Sequence, residues 1–329
     1  MSTLTATAEL IEDRGEAAAG GEFFRSRPFL AAEGVTHTLR IESESGELLA
    51  PLLVREIPGT DERDAVSPYG YPGLAGSTGH ARRSLPAVAP TGMPRTPPTL
   101  DPSAIDFSPT GLVSIFIRHQ LGPPPLAGTT ERNIVQIADP SLPPKSRPSD
   151  RRQVRRNLEA GYEMTLVPGP ETTPPQRAGF LDAYEQTMRR TGAADQYFFS
   201  AAYFDQALSA ERTWLALATA PGGEVAAASL VAVSDDYLHY YLSGSVDAHL
   251  RDSPMKNVLA RLTEHAAELG LPLNLGGGLS RGDALEEFKR GFANRQEPWQ
   301  TSEIVSNPEA YARLTTGRNA GNFFPAYRA

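Results

Sequence analysis

Residues 213–292 constrain the fold most, because there the apolar pattern switches cleanly between the periods of strand and helix. Runs at 214–218, 225–233 and 237–243 predict three strands. Ser253 is expected as an N-cap with Pro254 at the first helical position. Met255, Val258, Leu259, Leu262, Ala266 and Leu269 then form a 3.6-residue stripe that Gly270 ends. A short strand at 272–275, the Gly276-Gly277-Gly278 turn and a helix over 283–290 complete the order β-β-β-α-β-α.

The rest of the chain divides around this block. Residues 1–22 are rich in Ala, Gly and Glu and are expected to be a disordered N-terminus. A first domain is expected over 23–139, with a hairpin whose runs 35–42 and 48–57 flank Glu44-Ser45-Gly46, and further strands at 112–119 and 133–138. Prolines crowd 85–103 and forbid a continuous helix there. Residues 140–148 read as a linker, and 149–329 as a second domain holding the donor and the catalytic groups. In that domain one helix runs from a Ser149-Asp150 cap to about Ala160, and another opens at Thr173-Pro174 and stops at Gly192.

The bulk numbers exclude several classes. The 329 residues include no cysteine, so disulfides, thiolate metal sites and a thiol nucleophile are ruled out. The six histidines show no metal-binding spacing, and no metal site is expected. No Gly-x-Ser-x-Gly elbow points to a serine hydrolase. No apolar run suggests a signal peptide or a membrane span, so a cytoplasmic location without membrane insertion is the expectation. The net charge of −8 argues against a nucleic-acid coat protein. Only three of the 31 basic residues are lysines: Lys145, Lys256 and Lys289.

The strand and helix order resembles the core of GCN5-related N-acyltransferases, in which two strands splay to admit the acyl donor. More specifically, four segments resemble the C-terminal half of the Fem-like aminoacyltransferases. These are His239-Tyr240-Tyr241-Leu242-Ser243-Gly244-Ser245, Ser253-Pro254-Met255, Leu273 to Gly278, and Phe288-Lys289-Arg290-Gly291-Phe292. The basic stretch 151–161 and the aromatics Tyr197, Phe198, Phe199, Tyr203 and Phe204 extend that likeness upstream. Ser67-Pro68-Tyr69-Gly70 and Ile117-Arg118-His119 resemble parts of the family's first half, which brings Tyr69 in as a substrate contact. The resemblance implies an α/β (α+β) chain of two tandem GCN5-related domains, each a mixed central sheet flanked by helices. It also implies transfer of an aminoacyl group from charged tRNA to an amine, with no cofactor beyond the aminoacyl-tRNA co-substrate. No heptad-patterned arm like that of some cell-wall members is present.

The residues speak to the same chemistry. An acetyl-CoA enzyme uses a glycine-rich turn before its central helix to hold a pyrophosphate on free backbone N–H groups. The stretch 245–269 has no glycine, and Pro254 blocks the helix start, which favours another donor. A tRNA ester is already activated, so the enzyme must position the amine and stabilise the oxyanion. Lys289 matches the family position of a lysine thought to do so; from spacing alone it reads as an exposed helix lysine paired with Glu286 or Asp283. Alternation along 237–243 puts Tyr237, His239, Tyr241 and Ser243 on one face. His239 is then either a proton acceptor or a satisfied buried histidine. Tyr241 and Ser243 are candidate substrate contacts, as are Phe288 and the backbone at Gly276, Gly277 and Gly278.

Arg151, Arg152, Arg155 and Arg156, with Lys145 and Arg147, make a local basic patch suited to tRNA phosphates or a nucleotide diphosphate; otherwise they are a solvated helix in which Glu159 pairs with Arg155 or Arg156. The expectation is an aminoacyltransferase whose partners are aminoacyl-tRNA and a small-molecule or peptide amine, in natural-product biosynthesis or, alternatively, in cell-wall cross-bridge formation. An acyl-CoA or acyl-carrier N-acyltransferase and a non-catalytic RNA- or partner-binding module are the rival readings.

Overall fold

The structure is a computed structural model that describes residues 4–76, 99–318 and 321–329. Most of the proline-rich run falls outside the described residues. The chain forms two compact units. One comprises Met1–Arg132 and Pro298–Ala329, the other Asn133–Glu297.

In unit 1, β1 (Ala6–Ile11), α1 (Arg27–Ala32), β2 (His37–Ser43), β3 (Gly46–Glu56), β4 (Arg63–Val66), β5 (Ala75–Gly76), β6 (Ile105–Asp106) and β7 (Ser114–Arg118) follow in order. The sheet runs β6-β1-β2-β3-β4-β7, with β5 on β3. The expected hairpin is β2–β3, closing at Ser43 opposite Gly46, where φ is +129° and favours glycine. The N-terminal segment expected to be disordered is instead strand β1, antiparallel to β2 from Ala6↔Ser43 to Ile11↔Thr38. Its Ala6 and Ala8 are buried with Leu39 and Ile41 in the unit's core. Small side chains gave a weak apolar signal; pairing with β2 supplies what composition did not show.

Unit 2 begins within β8 (Thr130–Ala138) and continues through α2 (Pro148–Glu159), β9 (Glu163–Pro168), α3 (Pro174–Thr191), α4 (Ala201–Leu208), β10 (Thr213–Thr219), β11 (Val225–Ser234), β12 (Tyr237–Ser245), α5 (Met255–Leu269), β13 (Leu273–Asn274) and α6 (Ala284–Arg290). Its strands run β8-β13-β12-β11-β10-β9, antiparallel except for the β12–β13 pair. Thr173 forms a capping box with Gln176 at the start of α3, and Gly192 ends that helix at φ +62°. On one face α5 packs Val258, Leu259 and Leu262 against Val231, Leu238 and Leu273. On the other, α3 comes so close to β12 that a Cβ on Gly244 would lie 2.2 Å from the Ala183 carbonyl oxygen.

Two boundaries differ from the sequence reading. The division falls at 132/133, and the segment expected as a linker is tied into unit 2, where Asn294 Nδ2 donates to the carbonyls of Asp139 (2.9 Å) and Pro143 (3.2 Å). The end of the chain belongs to unit 1 rather than to the second domain. There β14 (Arg295–Val305) pairs Thr301–Val305 antiparallel with β7, followed by α7 (Pro308–Thr315). The tail closes on buried Asp64, which accepts from Arg55 Nε (3.0 Å) and Tyr327 Oη (3.1 Å) and forms an ion pair with Arg328.

Candidate active site

The site in unit 2 gathers where β13 ends. After Asn274 the chain turns through Gly276, at φ +74°, and Gly277 and Gly278, then enters α6 through Asp283. Asp283 accepts from the backbone N–H groups of Leu279 (2.6 Å), Ser280 (3.0 Å) and Glu286 (2.7 Å). Those bonds, first the one from Glu286, hold its carboxyl below the usual range, so it is committed as an anionic cap.

Lys289, one helical turn and a half along α6, is 9% exposed, not the surface lysine that spacing alone suggested. Its Nζ donates to the Gly277 carbonyl at 2.7 Å and lies 6.0 Å from the centre of the Tyr240 ring. Burial lowers its pKa to about 8, opposed by the Asp283 charge. A Cβ on Gly276 would stand 3.1 Å from Nζ, one on Gly277 2.5 Å from the Asn133 side chain, and one on Gly278 2.3 Å from Asp283 Oδ1. Asn133 Nδ2 also donates to the Gly278 carbonyl at 2.7 Å. The three glycines are therefore required by crowding against Lys289, Asn133 and Asp283 in turn, and Gly276 by the turn as well.

His239 is also fixed. Its Nε2 donates to the Ser234 carbonyl (3.0 Å), so Nδ1 is the acceptor for Asn274 Nδ2 (3.1 Å). Asn274 Oδ1 in turn accepts from the Gly276 N–H at 2.8 Å. With 2% exposure and a pKa lowered by burial to about 4, His239 stays neutral and holds the glycine turn through Asn274. Of the two sequence readings, the satisfied buried histidine fits this environment, and the proton acceptor does not.

The alternation expected along β12 is broken. A bulge falls where Val231 pairs with Tyr240 but Leu230 pairs with Leu242, leaving Tyr241 as the extra residue. Leu238 and Tyr240 face the α5 core, and the phase change brings Ser243 to that side, where its Oγ donates to Tyr240 Oη at 2.5 Å. Burial raises the Tyr240 pKa to about 12, so the phenol stays protonated. Tyr241 instead meets Tyr203 Oη at 3.1 Å, Tyr203 stacking on Phe199. Thus Ser243 and the glycines join Lys289, Tyr240 joins them unannounced, and Tyr241 stands apart. Phe288 packs on the core and on Phe292 and serves as apolar support.

The basic patch follows α2, which carries Arg151, Arg152, Arg155 and Arg156. All four are exposed on α2; Arg155 lies 3.7 Å from Glu159, and Arg151 donates to the Ser146 carbonyl. Tyr69 lies in unit 1, where its N–H donates to Glu33 and Arg118 stands over its ring. The start of α5 is closed by side chains. Lys256 Nζ is 2.9 Å from Asp150, and Asn157 Nδ2 donates to Asn257 Oδ1 (2.7 Å) and to the Asp252 carbonyl (2.8 Å). Pro254 is the N-cap there, and Ser253, expected to cap, sits at φ +49° with its hydroxyl on the Leu250 carbonyl. Among the described residues, no helix is long and apolar enough to cross a membrane, and no group of three or more His, Asp or Glu could hold a metal ion.

Residues 144–290 match the acetyltransferase (GNAT) domain family. No curated protein sequence matches the chain. Among solved structures the chain is similar to FemX, with 11% identity over 93% of this chain and 99% of that one and a TM-score of 0.59. It is also similar to L-PGS from Bacillus licheniformis (12% identity, 85% and 87% coverage, TM-score 0.53). A third is the C-terminal domain of a putative lysylphosphatidylglycerol synthetase from Agrobacterium fabrum (13% identity, 91% and 92% coverage, TM-score 0.53). In fold the chain is mixed α/β throughout and similar to FemX over nearly its whole length, and its residues 144–290 carry a GNAT acyltransferase domain.

Proposed function

We propose that the protein transfers an aminoacyl group from aminoacyl-tRNA to an amine of a small-molecule or peptide acceptor, in natural-product biosynthesis. The carrying observation is Lys289, a buried ammonium held by the Gly277 carbonyl beneath a turn that leaves no room for side chains. The acceptor nitrogen attacks the ester carbonyl, forming the C–N bond, and the negative charge on the carbonyl oxygen is met by an ammonium already desolvated for the purpose. Collapse breaks the C–O bond to the ribose, and the ribose oxygen takes up the proton the amine gives up. Ser243 and Tyr240 border the ester, while His239 and Asn274 keep the turn in place.

The donor assignment rests on the start of α5. An acyl-CoA pyrophosphate needs exposed N–H groups at a helix start. Here Pro254 caps the helix, no glycine occurs over 245–269, and Asp150, Asn157 and Lys256 occupy the surroundings. The exposed arginines of α2 supply phosphate contacts for the tRNA. The likeness in fold to FemX agrees with this reading.

Purified protein would be given a panel of radiolabelled aminoacyl-tRNAs and candidate amines, with and without RNase. The expected result is amide product that RNase abolishes, and a fall of about a hundredfold or more in Lys289→Ala, the scale of losing one oxyanion donor. Product from acyl-CoA but from no charged tRNA would overturn the donor assignment.

A further inference from the structure

Unit 2 holds two adjoining cavities of opposite character that take no part in the transfer chemistry, although Arg151 and Arg155 at the rim of the first also belong to the proposed tRNA surface. The first, of about 520 Å3, lies beside α2 and α5 and is walled by Leu142, Val154, Leu158, Ala260, Ala267 and Phe292. Leu142 and Leu158 are left 40% and 52% exposed there. The second, of about 480 Å3, is polar and is lined by Gln136, Arg290, Arg295 and Gln296. Lys145 and Asn294 line both, so the cavities meet at those residues.

The charges are unequally satisfied. Arg290 is paired with Glu286 and Glu287, and Arg295 with Asp139 (3.2 Å) and Glu297 (2.5 Å). Lys145 has no carboxylate within ion-pair distance among the described residues. Gln136 is fully buried; its Oε1 accepts from Gln296 at 3.1 Å, but its Nε2 has no hydrogen-bond partner. A buried amide donor without an acceptor is rare and unfavourable, and this one belongs to a residue lining the cavity that also holds the unpaired ammonium.

We infer that unit 2 binds a single-chain anionic amphiphile. Its apolar chain lies along the groove of α2 and α5, and its carboxylate or phosphate head accepts from Lys145 Nζ and Gln136 Nε2. Both volumes fall within the roughly 300–1,000 Å3 of small-molecule sites. Arg151 and Arg155, which also line the apolar cavity, add positive potential at its rim.

Calorimetric titration of the full chain with decanoate, decyl phosphate, decanol and inorganic phosphate tests this without any acyl donor, so its outcome is separate from that of the transfer assay. Decanoate or decyl phosphate should bind about tenfold or more tightly than decanol or inorganic phosphate. The tighter of the two anions identifies the head group. Lys145→Glu and Leu158→Asp, each at an exposed position, should weaken that binding by about tenfold or more while circular dichroism stays unchanged. Affinity for decanol equal to that of the tighter anion, no binding of either anion, or an unaltered affinity in Lys145→Glu would overturn the inference.

Discussion

A buried lysine near pH 8 is informative because two demands oppose each other in it. Desolvation disfavours the charge, and the Gly277 carbonyl and Asp283 retain it, so the ammonium persists at neutral pH yet is shed more easily than at a surface. The proposed role therefore has a pH signature. Transfer should fall as pH rises through about 8, because the ammonium is lost, and Lys289→Arg should not restore it, since a planar guanidinium does not reproduce the compact charge that Nζ places on the Gly277 carbonyl. A pH–rate profile of both proteins checks this. His239 carries the opposite signature. Its folded pKa of about 4 lies below the ordinary 6.5, so between those values the unfolded chain binds more protons and stability falls as pH drops. In His239→Gln that acid loss should shrink, while stability at pH 7 falls by about 1–3 kcal/mol from the broken bonds to Ser234 and Asn274. Denaturant melts at pH 4.5 and 7 compare the two. Lys289 was legible in the sequence as a motif position, although its burial was not. The partners of His239, Ser234 and Asn274, are brought together only by strand pairing, which spacing does not encode.

Among the elements, the glycine turn and the bulged strand decide what surrounds the lysine. The three glycines were visible as a turn, and the structure adds the reason that each resists substitution. Gly277→Ala would drive a methyl into Asn133 and shift the carbonyl that holds Lys289. Transfer should fall by about tenfold to a hundredfold, as expected for a misplacement of this size far below a turn's length. Gly282→Ala is the control: its φ of +78° carries a backbone penalty, but a Cβ there meets nothing within 4 Å. Parallel kinetics and melting curves separate lost geometry from lost stability. The bulge in β12 explains the one face that was misread. Up to Tyr240 the alternation holds; one added residue then exchanges the sides of Leu242 and Ser243, so Tyr240 entered the site unannounced. No residue type in His239–Ser243 marks a bulge in advance.

At the scale of the molecule, the β-β-β-α-β-α order of residues 213–292 was legible because each element carries its own periodicity. The return of residues 298–329 to unit 1 was not, because which strand a run will pair with is a long-range property. Removing 298–329 takes away the partner of β7, helix α7 and the Tyr327 and Arg328 contacts to buried Asp64. The truncated protein should lose the cooperative melt of unit 1 and gain rapid proteolysis within 4–132, both read by limited proteolysis and calorimetry. The same return sets an order of events during synthesis. Unit 2 has all its residues once 297 has emerged, whereas strand β7, made far earlier, still waits for β14. Throughout that interval its edge is open to mispairing, so a growing chain would be in greatest need of a chaperone at the half it began first.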